Sequence, residues 1–186
     1  MPGFGDPEAR VLLVGLAPAA HGGNRTGRVF TGDRSGDFLF AALFRSGLAN
    51  QSESVSVVDG LALRGAYVAA AVRCAPPANK PNTDERDRCA PFLRREIELL
   101  ASVRVIVALG SYGWDAALRA VEVVEGPVGR PRPAFGHGAE VLVGRFTLLG
   151  TYHPSQQNTF TGRLTPVMLD EVLARAVALA GQAARS

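Results

Sequence analysis

Four short apolar runs alternate along this chain with segments of helical periodicity, and this alternation constrains the fold more than any other feature. Each run is continuously apolar, which is typical of a strand buried on both faces of a sheet. The runs occupy residues 11–15, 67–72, 103–109 and 146–150. Helical spacing of apolar residues follows at residues 38–48, 83–101, 110–121 and 166–180. Strands that alternate with helices predict an α/β protein with a parallel sheet covered on both faces.

Length and composition exclude several classes of protein. The 186 residues are enough for one domain, which we expect to span residues 1–186. With 47% hydrophobic and 20% charged residues, the chain differs from disordered proteins and coiled coils. No apolar run approaches the roughly 18 residues of a membrane-spanning helix, so we expect no membrane partner. The first ten residues lack the basic and apolar blocks of a secretory signal, which favours a cytoplasmic location.

The basic residues and the cysteines each allow two interpretations. The formal net charge is +3, and Lys80 is the only lysine, so the remaining basic residues are arginines. Arginine pairs well with phosphate, but a GC-rich genome also favours arginine codons. Cys74 and Cys89 are either two ordinary thiols or half of a metal or cluster site, because two thiolates are half the usual ligand set.

Polar clusters follow the predicted strands, where the carboxyl ends of parallel strands share one edge and ligands bind. The loop after the first strand is rich in glycine and contains Arg25 and Arg28, whose guanidinium groups suit phosphate. This loop lacks both a Walker sequence and the G-x-G-x-x-G pattern, so we expect no nucleotide cofactor.

An acid and an imidazole are the candidate reactive groups at this edge. Asp33 is either a helix N-cap or a carboxylate that faces a developing positive charge. His153 is either a structural group or a functional one that Pro154 and Ser155 hold in place. No G-x-S-x-G or H-E-x-x-H motif accompanies the pair. An acid and a histidine opposite a basic loop suit a reaction with cationic sugar character and an anionic leaving group.

Three segments together resemble one known family. GLAPAAHG at residues 15–22, NRTGR at 24–28 and FTGD at 30–33 look like the first motif of the type 5 (type B) uracil-DNA glycosylases. HPSQQNTFTG at residues 153–162 looks like their second motif. RCAPPANKP at residues 73–81, followed by Cys89, also matches. The resemblance spans essentially the whole chain in the order of the family.

The resemblance implies an α/β/α sandwich on a four-stranded parallel sheet. It also implies an enzyme that flips a damaged base from DNA and cleaves its N-glycosidic bond, since the bond is inaccessible inside the stack. His153 would donate a hydrogen bond to the departing base, and Asp33 would stabilise the sugar cation or orient the attacking water. Phe30 would stack on the uracil. The remaining implied base-binding residues are Ala17, Pro18, Ala19 and Asn79, and the implied DNA-binding residues are Arg25, Arg28, Ser155, Gln156, Gln157 and Asn158.

The chain departs from its relatives in two ways. Type 4 enzymes carry an asparagine at the position of Ala70, so base recognition is expected to be broad; Asn79 either replaces that asparagine or only forms a turn. Family members also hold a [4Fe-4S] cluster with four cysteines, two of them in an N-terminal segment. This chain begins downstream of that segment and keeps only Cys74 and Cys89, so we expect that it cannot close a cluster alone. Either an upstream segment is missing from this sequence, or the site contains no cluster.

We therefore predict a monofunctional DNA glycosylase of base excision repair that acts as a monomer on uracil-containing DNA. A lyase step is not expected because no lysine is placed at the sheet edge. Three alternatives stay open: the same fold acting on mismatched bases or hypoxanthine, a lesion-binding protein without turnover, and a nucleotide-binding or phosphate-binding module.

Overall fold

The structure is a computed structural model that describes residues 1–77 and 80–182. It confirms the α/β class but corrects the expected four-stranded parallel sheet. The described residues form one six-stranded mixed sheet in the order β1-β3-β2-β4-β6-β5. The strands are β1 (Phe4–Gly5), β2 (Val11–Gly15), β3 (Ala66–Ala70), β4 (Val105–Leu109), β5 (Glu140–Val143) and β6 (Phe146–Thr151).

The four central strands are parallel, as the sequence predicts. β2 pairs with β3 on one side and with β4 on the other, and β4 pairs with β6. Both β2 and β4 are buried along their whole length. Continuous Val, Leu and Ile residues form such strands because both faces of a parallel sheet are covered.

The two edge strands were missed because neither carries the pattern of a buried strand. β1 is only two residues long and pairs antiparallel with β3. β5 pairs antiparallel with β6 and leaves Glu140 and Leu142 exposed. Half-exposed strands at a sheet edge lack the continuous apolar run on which the prediction depended.

Helices cover both faces of the sheet and complete three layers. The helices are α1 (Gly23–Thr26), α2 (Arg34–Arg45), α3 (Thr83–Leu99), α4 (Gly110–Glu125), α5 (Gln156–Phe160) and α6 (Pro166–Gln182). α2 and α6 pack on one face around Phe40, and α3 and α4 pack on the other face around Trp114. None of the helices within the described residues has both the length and the apolar character needed to cross a bilayer.

Close contact between α4 and the sheet helps to place the site. A Cβ atom at Gly113 would lie 2.5 Å from the carbonyl oxygen of Val14, so only glycine permits this approach. The approach sets the N-terminus of α4, at Gly110, beside the end of β6, where a Cβ atom on Gly110 would lie 3.1 Å from the Cβ of His153. The fold thus brings the segments after β2 and β6 to one edge.

Candidate active site

The loop after β2 presents backbone donors at the carboxyl edge of the sheet. The carbonyl oxygen of Ala19 accepts hydrogen bonds from the N–H groups of Gly22 (3.2 Å) and Asn24 (3.1 Å), which fold the loop back on itself. Within residues 1–77 and 80–182, the N–H groups of Ala17 and Ala19 donate to no protein acceptor. Pro18 is buried and has no N–H, so it can contribute only its ring and carbonyl group.

Phe30, further along the same loop, lies in a strained conformation between Gly15 and His153. Its φ angle is 53°, in the left-handed region that bulky residues rarely adopt. The ring packs over Gly15, where a Cβ atom would lie 2.7 Å from it. Its centroid is 6.0 Å from that of the His153 ring, with an angle of 34° between the planes. Strain of this kind persists only where surrounding structure enforces it, and it is concentrated at functional sites.

Asp33 caps α2 and keeps one carboxylate oxygen for other uses. Its Oδ1 accepts from the N–H of Gly36 at 2.9 Å, which is the N-cap interaction that one of the two interpretations predicted. Its Oδ2 lies directly above Gly22, a position that any side chain at Gly22 would occupy. No hydrogen bond to Oδ2 is present within the described part of the chain, so N-capping leaves this oxygen available.

His153 follows β6 and is held from two sides. The carbonyl oxygen of His153 accepts from the side-chain amide of Asn158 at 2.9 Å, and Gly110 lies against its Cβ. Burial lowers the pKa of His153 to about 4, although the nearby Asp33 carboxylate acts in the opposite direction. The imidazole is therefore neutral at pH 7. The acid and the imidazole singled out in the sequence lie close enough to interact electrostatically at one edge.

The segment after His153 forms a short helix whose tip faces solvent. Ser155 is the N-cap of α5, and its Oγ accepts from the N–H of Asn158 at 3.5 Å. Gln156 and Gln157 are exposed, and the ring of Phe160 is 74% exposed. The exposed ring of Phe160 therefore lies at the end of α5, next to polar side chains.

Comparison with known proteins identifies the family. The model of the uracil-DNA glycosylase superfamily matches residues 2–177. The chain belongs to this superfamily. A protein from Mycobacterium tuberculosis named type-5 uracil-DNA glycosylase is 54% identical over 183 residues, which cover 97% of this chain and 67% of that protein. A protein of the same name from Thermus thermophilus is 52% identical over 182 residues, with 97% and 80% covered. Another from Pyrobaculum aerophilum is 49% identical over 181 residues, with 97% and 76% covered. The chain is thus a member of the type-5 family.

Arg28 does not fit the DNA-binding role that the resemblance to the type-5 family implied. Its side chain is only 4% exposed and forms an ion pair with Asp59, with the Nη2 and Oδ2 atoms 2.6 Å apart. The guanidinium group also donates to Thr31 and Ser54 and lies over the ring of Phe4. Arg28 is thus a buried structural group, because partners distant in sequence use its donors.

Arg25 is exposed and stays a predicted DNA contact, whereas Asn79 lies outside the part of the chain that the structure describes. Arg25 is exposed, and its Nε donates to the carbonyl oxygen of His21 at 3.1 Å, which holds the side chain across the loop. Asn79, predicted to bind the base, lies outside the described residues. Ala70 is buried at the end of β3, where it offers no polar side-chain atom to a base.

The two cysteines do not by themselves fit a four-ligand cluster. Cys74 is exposed and Cys89 is buried, and both are free thiols. Among residues 1–77 and 80–182, no group of three or more His, Cys, Asp or Glu side chains is arranged to hold a metal ion. An iron–sulfur cluster needs four ligands, so no step of the chemistry below depends on one.

An aromatic group beside the site was missed in the sequence. His137 stacks on Tyr152 with centroids 5.1 Å apart, and its Nδ1 accepts from the N–H of Tyr152 at 3.4 Å. The guanidinium carbon of Arg163 lies 4.7 Å from the centroid of the same tyrosine. This group supports the residue before His153. One signal was available, since His137 is one of only three histidines.

The depressed pKa of His153 makes protein stability depend on pH. Between pH 6.5 and about 4 the unfolded chain binds a proton at this residue and the folded chain does not. This residue therefore leaves the free energy of unfolding unchanged above pH 6.5 and lowers it as the pH falls towards 4. Between pH 7.5 and pH 5, the wild type should lose about 2 kcal/mol more free energy of unfolding than His153→Asn. Urea denaturation at both pH values measures this difference, and equal losses in the two proteins would contradict the assignment.

Proposed function

We propose that this chain is a monofunctional DNA glycosylase that flips uracil out of DNA and hydrolyses its N-glycosidic bond. Membership of the type-5 family and 49–54% identity to proteins named uracil-DNA glycosylase support this proposal. One observation carries it: the neutral imidazole of His153 lies beside the Phe30 ring, and the Asp33 carboxylate, which has a free oxygen, lies near enough to that imidazole to affect its pKa. The same observation disfavours a lesion-binding protein without turnover, because binding alone needs no such pair.

His153 is suited to stabilise the departing base. When the bond between the sugar C1′ and the base nitrogen breaks, the electron pair moves to the base, and a carbonyl oxygen of uracil gains negative charge. A neutral imidazole with a pKa of about 4 is a poor base but keeps an N–H that can donate to that oxygen. Donors fixed where charge develops contribute roughly 3–4 kcal/mol each to catalysis. His153 therefore acts as a hydrogen-bond donor.

Asp33 is suited to stabilise the positive charge that develops on the sugar. Loss of the base leaves an oxocarbenium-like sugar, and a carboxylate close to C1′ stabilises that cation. The free Oδ2 atom of Asp33 can also orient the attacking water, whose oxygen atom bonds to C1′. One proton of that water passes to solvent, and the departing base is protonated. The N–H of Gly36 holds Oδ1, so the carboxylate needs little reorganisation when the charge forms.

The loop after β2 and the ring of Phe30 are suited to hold the base. The N–H groups of Ala17 and Ala19 can donate to uracil oxygens, and the Phe30 ring can stack on the pyrimidine face. The small side chain of Ala70 leaves base recognition without a polar contact from β3, which favours acceptance of other deaminated bases. Both the segment after β2, with Arg25, and the segment after β6, with Ser155, Gln156 and Gln157, start from the carboxyl edge of the sheet, and these side chains can contact phosphate groups.

The direct test is incubation with a duplex that contains a single uracil. Release of free uracil together with an alkali-labile abasic site, and no strand cleavage before alkali, is the expected result for a monofunctional glycosylase. Parallel duplexes with hypoxanthine and xanthine measure the substrate range. Binding to the uracil duplex without release of base would favour the lesion-binding alternative, and binding of a mononucleotide alone would favour a nucleotide module.

Replacement of either reactive group should slow the chemistry and leave DNA binding nearly unchanged. We expect His153→Ala and Asp33→Asn each to lower the single-turnover rate by about 10²- to 10³-fold, because each removes charge stabilisation made in the transition state. Affinity is measured with a duplex that carries a non-hydrolysable uracil nucleotide. Asp37→Asn, an exposed acid in the first turn of α2, is the matched control and should keep the wild-type rate. Equal losses of rate and affinity would contradict these roles.

Phe160 is the residue that we expect to fill the gap left by the flipped base. Stacking of an aromatic ring on a base contributes about 1–3 kcal/mol, so Phe160→Ala should slow excision from duplex DNA by about 10-fold. Excision from single-stranded DNA should change little because that substrate has no stack to fill. Phe44→Ala removes a half-exposed ring on α2 and should have no effect on either substrate. Equal slowing on both substrates would exclude this role.

The cysteine pair leads to a prediction about iron. Cys74 and Cys89 can supply two ligands, so protein made from this sequence should contain far less iron and labile sulfide than a [4Fe-4S] cluster requires. Colorimetric iron analysis of the purified protein and of a Cys74→Ser/Cys89→Ser variant measures this. A stoichiometric iron content that disappears in the variant would show that the half-site interpretation is wrong.

A further inference from the structure

A buried polar network joins the active-site loop to a loop far away in sequence. Asp59, which is 12% exposed, accepts two hydrogen bonds from Arg28, from Nη1 at 3.0 Å and from Nη2 at 2.6 Å. The same carboxylate accepts from the N–H groups of Val55 (2.8 Å), Ser56 (3.1 Å) and Leu61 (2.9 Å). These bonds hold the pKa of Asp59 well below its usual range. Asp59 thus organises its own loop and binds the active-site loop at the same time.

Two hydroxyl groups extend this network across the backbone of the active-site loop. Arg28 donates from Nε to Thr31 Oγ1 and from Nη2 to Ser54 Oγ, both at 2.9 Å. The hydroxyl oxygens of Thr31 and Ser54 are 2.6 Å apart. The N–H of Gly32 donates to the carbonyl oxygen of Ser54 at 3.1 Å. Every side chain in this group is buried or nearly buried, so the bonds form in an environment that strengthens them.

The network spans Phe30. Arg28 lies two residues before it and Thr31 one residue after it, and their side chains bond to each other. This link closes the backbone into a short ring in which Phe30 has its positive φ of 53°. A left-handed phenylalanine needs such a constraint, because the conformation is unfavourable for a bulky side chain. Asp33 follows Phe30 by only three residues and lies in the same loop after β2.

We propose that Asp59 is a positioning residue for uracil excision, acting through Arg28 to hold the Phe30 ring in its working geometry. This inference rests on the proposed function. Asp59 touches neither His153 nor the position where a base would stack, and it lies outside both motifs that carry the family resemblance. Its effect on catalysis is therefore indirect and depends on Phe30.

The other ion pairs of the described residues provide a contrast and a control. Arg45 and Asp170 also form a two-pronged pair, with both N–O distances 2.8 Å, but both side chains are at least one-third exposed. This pair joins α2 to α6 at the end of α2 opposite Asp33. Asp170→Asn therefore removes the same kind of interaction without touching the loop that holds Phe30.

The test compares Asp59→Asn with Asp170→Asn at a temperature where circular dichroism shows both to be folded. Asp59→Asn should lower the single-turnover rate of uracil release by about 10- to 100-fold, the loss expected from a misplacement of about 1 Å. Affinity for a duplex with a non-hydrolysable uracil nucleotide should change less than about threefold. Asp170→Asn should keep both values. An unchanged rate in Asp59→Asn would overturn the proposal.

A double-mutant cycle separates positioning from a general loss of structure. If Asp59 acts through the ring, Asp59→Asn should change the rate less than about threefold in a Phe30→Leu background. A purely structural role would give the full loss in both backgrounds and would overturn the proposal.

Protein labelled with 4-fluorophenylalanine gives a readout independent of activity: the Phe30 fluorine signal should shift or broaden in Asp59→Asn and stay unchanged in Asp170→Asn. If the wild type released no uracil, the proposed function would fail, while this signal would still test the role of Asp59.

A second variant covers the case in which Asp59→Asn does not fold, since it leaves a buried guanidinium group without its partner. Arg28→Met combined with Asp59→Leu replaces the whole pair with apolar side chains of similar size, an exchange that buried pairs commonly tolerate. The double variant should fold yet show the reduced rate and the altered Phe30 signal. A wild-type rate in this variant would overturn the proposal.

Discussion

Parallel hydrogen bonding among β3, β2, β4 and β6 is the constraint on which the site depends. It brings the carboxyl ends of four strands to one edge, although the segments that follow them are far apart in sequence. Phe30 and Asp33 reach this edge through the loop after β2, and His153 reaches it directly after β6. Gly113 completes the arrangement, because it lets α4 approach β2 and set its first residue beside His153. Without this sheet order the acid and the imidazole would not meet.

Burial keeps the imidazole of His153 neutral beside the Asp33 carboxylate. His153 loses its proton affinity because it is desolvated, and the Asp33 carboxylate only partly offsets that effect. A neutral donor and a carboxylate therefore lie at one edge, and in the proposed function they face the negative charge of the departing base and the positive charge of the sugar. The ring of Phe30 lies against the imidazole, and its backbone strain persists because neighbouring side chains oppose its relaxation. The packing that holds Phe30 thus also contributes to the surroundings of the neutral imidazole.

The central fold could be predicted from sequence because continuous apolar runs mark strands buried on both faces. The run predicted at residues 11–15 is β2 itself, whereas β1 and β5 lack the pattern and were found only in the structure. Asp33 and His153 were singled out because they follow strands that share an edge. Arg28 was misjudged for a related reason: an arginine in a glycine-rich loop resembles a phosphate contact until its partner is known. That partner, Asp59, is 31 residues away, and local patterns contain no information about such a pairing.

The bond between the Asn158 side chain and the carbonyl oxygen of His153 has a mechanical consequence. It ties α5, with its exposed glutamines and Phe160, to the backbone that carries the imidazole. If the chain acts as proposed, a duplex that displaces this short helix also displaces the imidazole, so DNA contact at α5 and cleavage of the glycosidic bond are coupled through a single hydrogen bond.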